Sequence, residues 1–72
     1  MNIDYQIIKR NTLENDLIIS NNSNEVKLVQ VKLLDKVLKL FLLKKREHIT
    51  IKLDEIELVN EILVEEVKWE EY

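Results

Sequence analysis

Glycine, proline, cysteine and alanine are all absent from this 72-residue sequence, and histidine occurs once. Without cysteine there is no disulfide framework, no thiolate metal site and no thiol nucleophile. Without glycine there is no phosphate-cradling loop of the usual kind, and no sharp turn for an oxygen-ligand calcium loop. A lone imidazole, His48, cannot build a multi-histidine metal site. Nothing in the spacing of Thr12, Ser20, Ser23 and Thr50 suggests a nucleophile paired with it. The sequence therefore predicts no catalytic residues, no metal and no cofactor.

What is present is apolar. Leu, Ile, Val and Phe supply 29 positions within a hydrophobic content of 46%, enough to exclude a disordered chain. One domain over residues 1–72 is expected. A domain this small hides only about 60% of the surface its unfolded chain exposes, and such chains usually need a disulfide, a metal or a partner. The first two are excluded by composition, so association is expected, as a homo-oligomer or with another protein. The bias towards Asn, Ile, Lys, Leu and Glu fits an AT-rich coding source such as a low-GC bacterium, its phages or its mobile elements. The start of the sequence lacks a basic region followed by an apolar one. The longest uncharged stretch of the apolar middle, Leu40 to Leu43, is far too short to span a bilayer. A cytoplasmic protein without membrane association is expected, in the host cytoplasm if phage-encoded.

Turn chemistry is concentrated in Asn11 to Asp16 and Ser20 to Asn24, where Asn and Asp replace the missing glycine. These segments separate two short strands, Ile3–Arg10 and Leu17–Ser20. Residues 26–46 fit either an amphipathic helix or a hairpin of Val26–Leu34 and Val37–Lys44. The hairpin is favoured, because a helix there lacks a cap at either end. Ile49, Ile51 and Leu53 alternate with His48, Thr50 and Lys52, the pattern of a strand with one buried face. Asp54 followed by Glu57 resembles a capping box. Ile56, Leu58, Val59, Ile62, Leu63 and Val67 then recur at helical spacing, predicting a helix to Val67 or Trp69. The expected fold is α+β, a small antiparallel sheet of about four or five short strands packed against a C-terminal amphipathic helix.

Charge divides along the chain. Residues 1–52 carry ten Lys or Arg against six Asp or Glu, and residues 53–72 carry one against eight. On the predicted helix, Asp54, Glu57, Glu61 and Glu65 form one stripe that Glu66 extends, with Trp69 and Tyr72 beside it. Like charges four residues apart cost a helix a few tenths of a kcal/mol, so the stripe does not serve helix stability. With two aromatic anchors alongside, it suits a basic protein partner. The leading expectation is a non-catalytic protein-binding module using Glu57, Glu61, Glu65, Glu66, Trp69 and Tyr72. Small acidic proteins of this type resemble phage inhibitors of host defence, such as anti-CRISPR proteins, which implies a host protein as target.

The alternative uses the basic body. With Val29, Val31, Leu33, Ile49, Ile51 and Leu53 inward, the other face of one sheet shows Gln30, Lys32, His48, Thr50 and Lys52, and Lys39 and Phe41 share a face of the strand between. Lysines that track phosphates and a ring that stacks bases suit a single-stranded nucleic acid. A strand-rich sheet followed by a terminal helix, over residues 26–64, resembles the layout of coactivator-type single-stranded DNA-binding domains. This sequence departs from them in lacking their glycine-bearing turns and most of their aromatic and arginine content. The nucleic-acid reading assigns Lys32, Lys39, Phe41, His48 and Lys52 to the contact.

Overall fold

A computed structural model describes residues 2–10, 14–54 and 61–68. Six strands account for most of them: β1 Ile3–Lys9, β2 Glu14–Asn21, β3 Lys27–Leu33, β4 Lys36–Leu43, β5 His48–Asp54 and β6 Ile62–Val67. They form two antiparallel three-stranded sheets, the first ordered β1-β2-β5 and the second β4-β3-β6. Hairpins join β1 to β2 and β3 to β4, whereas β2–β3, β4–β5 and β5–β6 each cross from one sheet to the other.

The two sheets share one core, so the architecture is a small β-sandwich. Ile3, Leu17, Ile19 and Leu53 come from the first sheet, and Val29, Val31, Leu43, Ile62 and Val64 from the second. Alternation explains which side chains go inward. On the central strand β2, Leu17 and Ile19 are fully buried, and each faces an apolar neighbour on both sides: Leu17 lies between Ile7 and Ile51, and Ile19 between Tyr5 and Ile49. Burying a side chain of this kind contributes about 2 kcal/mol, and the two central strands supply four of the most deeply buried ones, Leu17, Ile19, Val29 and Val31.

The expected α+β class is corrected to all-β, because no α-helix occurs among the described residues. Six strands in two sheets replace four or five in one. The expected C-terminal helix fails where it is described. Residues 62–67 are strand β6, paired antiparallel to β3 from Leu28↔Val67 to Leu33↔Ile62. Asp54, the expected cap, closes β5, while Glu57 lies outside the described residues. The physical reason is local. Ile62, Leu63 and Val67 fit a helical stripe, but Ile62 and Val64 fit strand alternation equally well, and β3 offers a ladder of backbone groups on its second side. The strand also separates the acids that a helix would stack: Glu65 accepts a hydrogen bond from Gln30 Nε2 at 2.5 Å, and Glu66 pairs with Lys27.

The hairpin over 26–44 is present, with its turn one residue earlier than Asp35-Lys36. Leu33 pairs with Lys36, leaving Leu34 and Asp35 as the two loop residues. Leu34 has φ 54°, and the positive φ at the first loop position serves in place of the missing glycine. Within the hairpin the register shifts between Val31 and Lys32, so that Leu38 is a bulge residue between Val37 and Lys39.

Candidate functional site

Directly paired residues of antiparallel strands share a face, which fixes the outward side of each sheet. The first sheet shows the rows Asp4–Ser20–His48, Gln6–Ile18–Thr50 and Ile8–Asp16–Lys52. This face is mixed and largely polar. Asp16 is buried there, and its carboxylate accepts a charge-assisted bond from Arg10 Nε. Beside it a depression of about 240 Å³ is lined by Arg10, Glu14, Asn15, Asp16 and Lys52, with charges of both signs.

The second sheet shows a different outer surface. Its rows are Leu42–Leu28–Val67, Leu40–Gln30–Glu65 and Val37–Lys32–Leu63, with Val67 at the corner buried. Val37, Leu40, Leu42 and Leu63 are between 45% and 55% exposed, and the bulge residue Leu38 is exposed beside them. Leu28 and Gln30 at the centre are half-buried. Val37, Leu38, Leu40 and Leu42 adjoin along β4, and Leu63 stands across Lys32 from Val37; apolar patches of this kind on one face are often functional. Lys32 and Glu65 are the two charged side chains in these rows.

The residues of the acidic reading are dispersed. Glu61 is exposed just before β6, Glu65 points outward beside Gln30, and Glu66 lies towards the other face at the end of the strand pair. Glu57, Trp69 and Tyr72 lie outside the described residues. Glu66 is tied to Lys27, whose Nζ stands 3.5 Å from Glu66 Oε1 and 3.3 Å from Glu25 Oε2. Partial burial opposes the charge on Lys27. The hydrogen bond to Glu25 and the nearby Glu66 and Glu25 carboxylates outweigh it and hold the ammonium above its ordinary 10.5.

The residues of the basic reading do not meet on one face. Lys32 lies on the outer face of the second sheet, whereas His48 and Lys52 lie on the outer face of the first, on the far side of the sandwich. Lys39 and Phe41 do share a face, pairing with Val31 and Val29, but it is the inward one. Phe41 packs against the core and Lys39 emerges at the β4 edge. No group of three or more potential metal-ligating side chains occurs among the described residues.

No family model, curated protein or solved structure matches this chain.

The apolar face itself was visible in the sequence as an unread signal. Val37 to Leu43 has Lys39 as its one charged residue. An unbroken apolar run on a strand marks burial on both sides, whereas alternation marks burial on one. In the structure β4 is an edge strand with only one side on the core. The other side, Leu40 and Leu42, is left showing.

Proposed function

We propose that this chain is a non-catalytic protein-binding module, and that the outer face of the second sheet is its contact surface. The observation that carries the reading is the exposure of Val37, Leu40, Leu42 and Leu63 on one side of one sheet. The partner it suits is a protein surface that is apolar and nearly uncharged, because a basic or acidic one would bury its charges against leucine without compensation. Among the described residues no helix is long and apolar enough to cross a membrane. The cytoplasm is the proposed location, and the AT-rich residue bias makes a phage or mobile-element inhibitor of a host protein the working context.

The test is site-specific photo-crosslinking in expressing cells, with a photoreactive residue at Leu40 or, as control, at exposed Thr50 on the other side of the sandwich. Protein adducts concentrated at position 40 support the reading. Adducts equal at both positions, or none at 40, overturn it.

A further inference from the structure

We infer that the occupant of the second sheet's outer face is a second copy of this chain, packed face to face about a two-fold axis lying in the plane of contact. The inference rests on the protein-binding reading of that face and names its partner.

Val37, Leu38, Leu40, Leu42 and Leu63 together expose apolar surface on the order of 400–500 Å², within the size of patch that is often functional on a monomer. With Leu28, Gln30, Lys32, Glu65 and the surrounding rim, the face approaches the roughly 800 Å² per partner of a standard stable interface. An isologous contact uses the same patch on both copies, so this one face is sufficient.

The edge of β4 disfavours one alternative, ladder pairing of two copies through the strand that carries Leu40 and Leu42. A strand edge invites ladder pairing unless bulges and lysines guard it. β4 carries the bulge at Leu38, with Lys36 and Lys39 along it and Lys44 just beyond. An antiparallel second β4 centred on Leu40 sets Lys36 against Lys44 of the other copy; centred on Lys39, it sets that lysine against itself. Both are repulsive pairs. Face-on contact leaves these lysines at the solvated rim.

Lys32 makes no ion pair with another described residue, and Glu65 holds a single hydrogen bond from Gln30. Lys32 stands in the row Val37–Lys32–Leu63, and Glu65 one row along on the next strand. An axis drawn on the diagonal from Leu42 to Leu63 places each Lys32 over Glu65 of the second copy and each Leu28 over Leu40. Gln30 then meets its own equivalent. The strands of the two copies cross steeply, towards the orthogonal class of sheet packing. Both charges in the face are thereby answered.

The decisive experiment is sedimentation velocity on the full chain over a micromolar concentration series, with circular dichroism confirming each variant's fold. Wild type is expected to sediment as a dimer. Lys32→Glu and Glu65→Lys should each weaken dimerisation by at least about tenfold, since each sets like charges together at both contacts. An equimolar mixture of the two variants should regain the dimer, because the mixed pair has opposite charges at both. Single variants that dimerise like wild type, or a mixture that stays monomeric, overturn the inference. A monomeric wild type that still gives adducts to other polypeptides from position 40 overturns the second copy and leaves the protein-binding reading standing. A monomer without such adducts overturns both.

Discussion

The side-chain amide of Asn21 donates to the carbonyl oxygen of Leu43 at 3.0 Å, joining the end of β2 in one sheet to the end of β4 in the other. The same nitrogen lies 2.8 Å from the Glu25 carbonyl and 3.1 Å from that of Lys44. Its Oδ1 accepts from the Ser23 backbone N–H at 3.0 Å and from Ser23 Oγ at 2.7 Å. Asn21 is 1% exposed, so one buried amide organises the β2–β3 loop and holds it to the β4–β5 turn. With no cysteine to form a disulfide, this polar cluster is a cross-link between the two layers.

Asn21→Ala is therefore expected to cost about 2–4 kcal/mol, because it removes the partner of one buried and several part-buried backbone groups at once. That is a large part of the stability of a domain this small, on the order of 4–10 kcal/mol. Asn21→Asp should also be costly at neutral pH, where a carboxylate presents no donor to three carbonyls. In acid the deficit relative to wild type should shrink, as protonation returns one donor. Urea unfolding of both variants at two pH values checks this. An Asn21→Ala loss below about 0.5 kcal/mol would show that the cluster is not a cross-link.

Two turns carry strain that the missing glycine leaves in place. Leu34 has φ 54° and Arg46 φ 58°, a region that costs an ordinary residue about 1–2 kcal/mol. Leu34 is 59% exposed and gives up little packing when replaced. Leu34→Asn should stabilise by about 0.5–1 kcal/mol, because asparagine tolerates this conformation, and Leu34→Val should destabilise by a similar amount. Arg46→Asn should gain less, since Arg46 Nε gives up its bond to Asn24 Oδ1 at 3.1 Å. Thermal melts of the three variants establish the order; a Leu34→Val protein as stable as wild type would contradict it.

Lys27 links Glu25 and Glu66 where β3 meets β6. Its pKa is raised above 10.5 in the folded chain, so its contribution to stability is complete below that value and is lost as pH climbs through the higher folded one. Lys27→Gln should lower the urea midpoint at pH 7 and leave two carboxylates facing each other. The gap to wild type should close in strongly alkaline buffer. A gap that persists there would place the role of Lys27 in packing of its aliphatic stem and not in its charge.

How much of this was legible depends on where tertiary pairing decided the outcome. Ile49, Ile51 and Leu53 alternate because β5 has one side on the core, and the pattern alone locates the strand. Val29 and Val31 are inward for the same reason. Alternation reports only inward or outward, however, and two sheets packed face to face have opposite outsides. Lys32 and Lys52 are both outward by pattern, yet they point away from each other across the sandwich. Asn21 sits in a segment whose composition signals a turn, and its bonds to Leu43 and Lys44 come from residues far along the chain. Leu40 and Leu42 carried the clearest unread sign, an apolar run too continuous for a strand with one solvated side.

Strand β6 is where local and tertiary preferences diverge, and it can be tested directly. Ile62, Leu63 and Val67 fit a helical stripe, while Ile62 and Val64 fit a strand; pairing with β3 selects the second. Far-UV circular dichroism should show a strand spectrum without a helical double minimum. The weight of the β3–β6 pairing in the fold is read by Val64→Pro. In a strand it removes a backbone donor in register with Val31 and empties a buried position, so stability should fall by at least about 2 kcal/mol. Val64→Thr keeps the branched shape and strand preference but puts a hydroxyl in the core, and should cost less, about 1–2 kcal/mol. Val64→Leu separates the two structures most cleanly. It favours a helix and overfills a strand position facing Val31, so it should destabilise β6; a Val64→Leu protein more stable than wild type would argue for the helix.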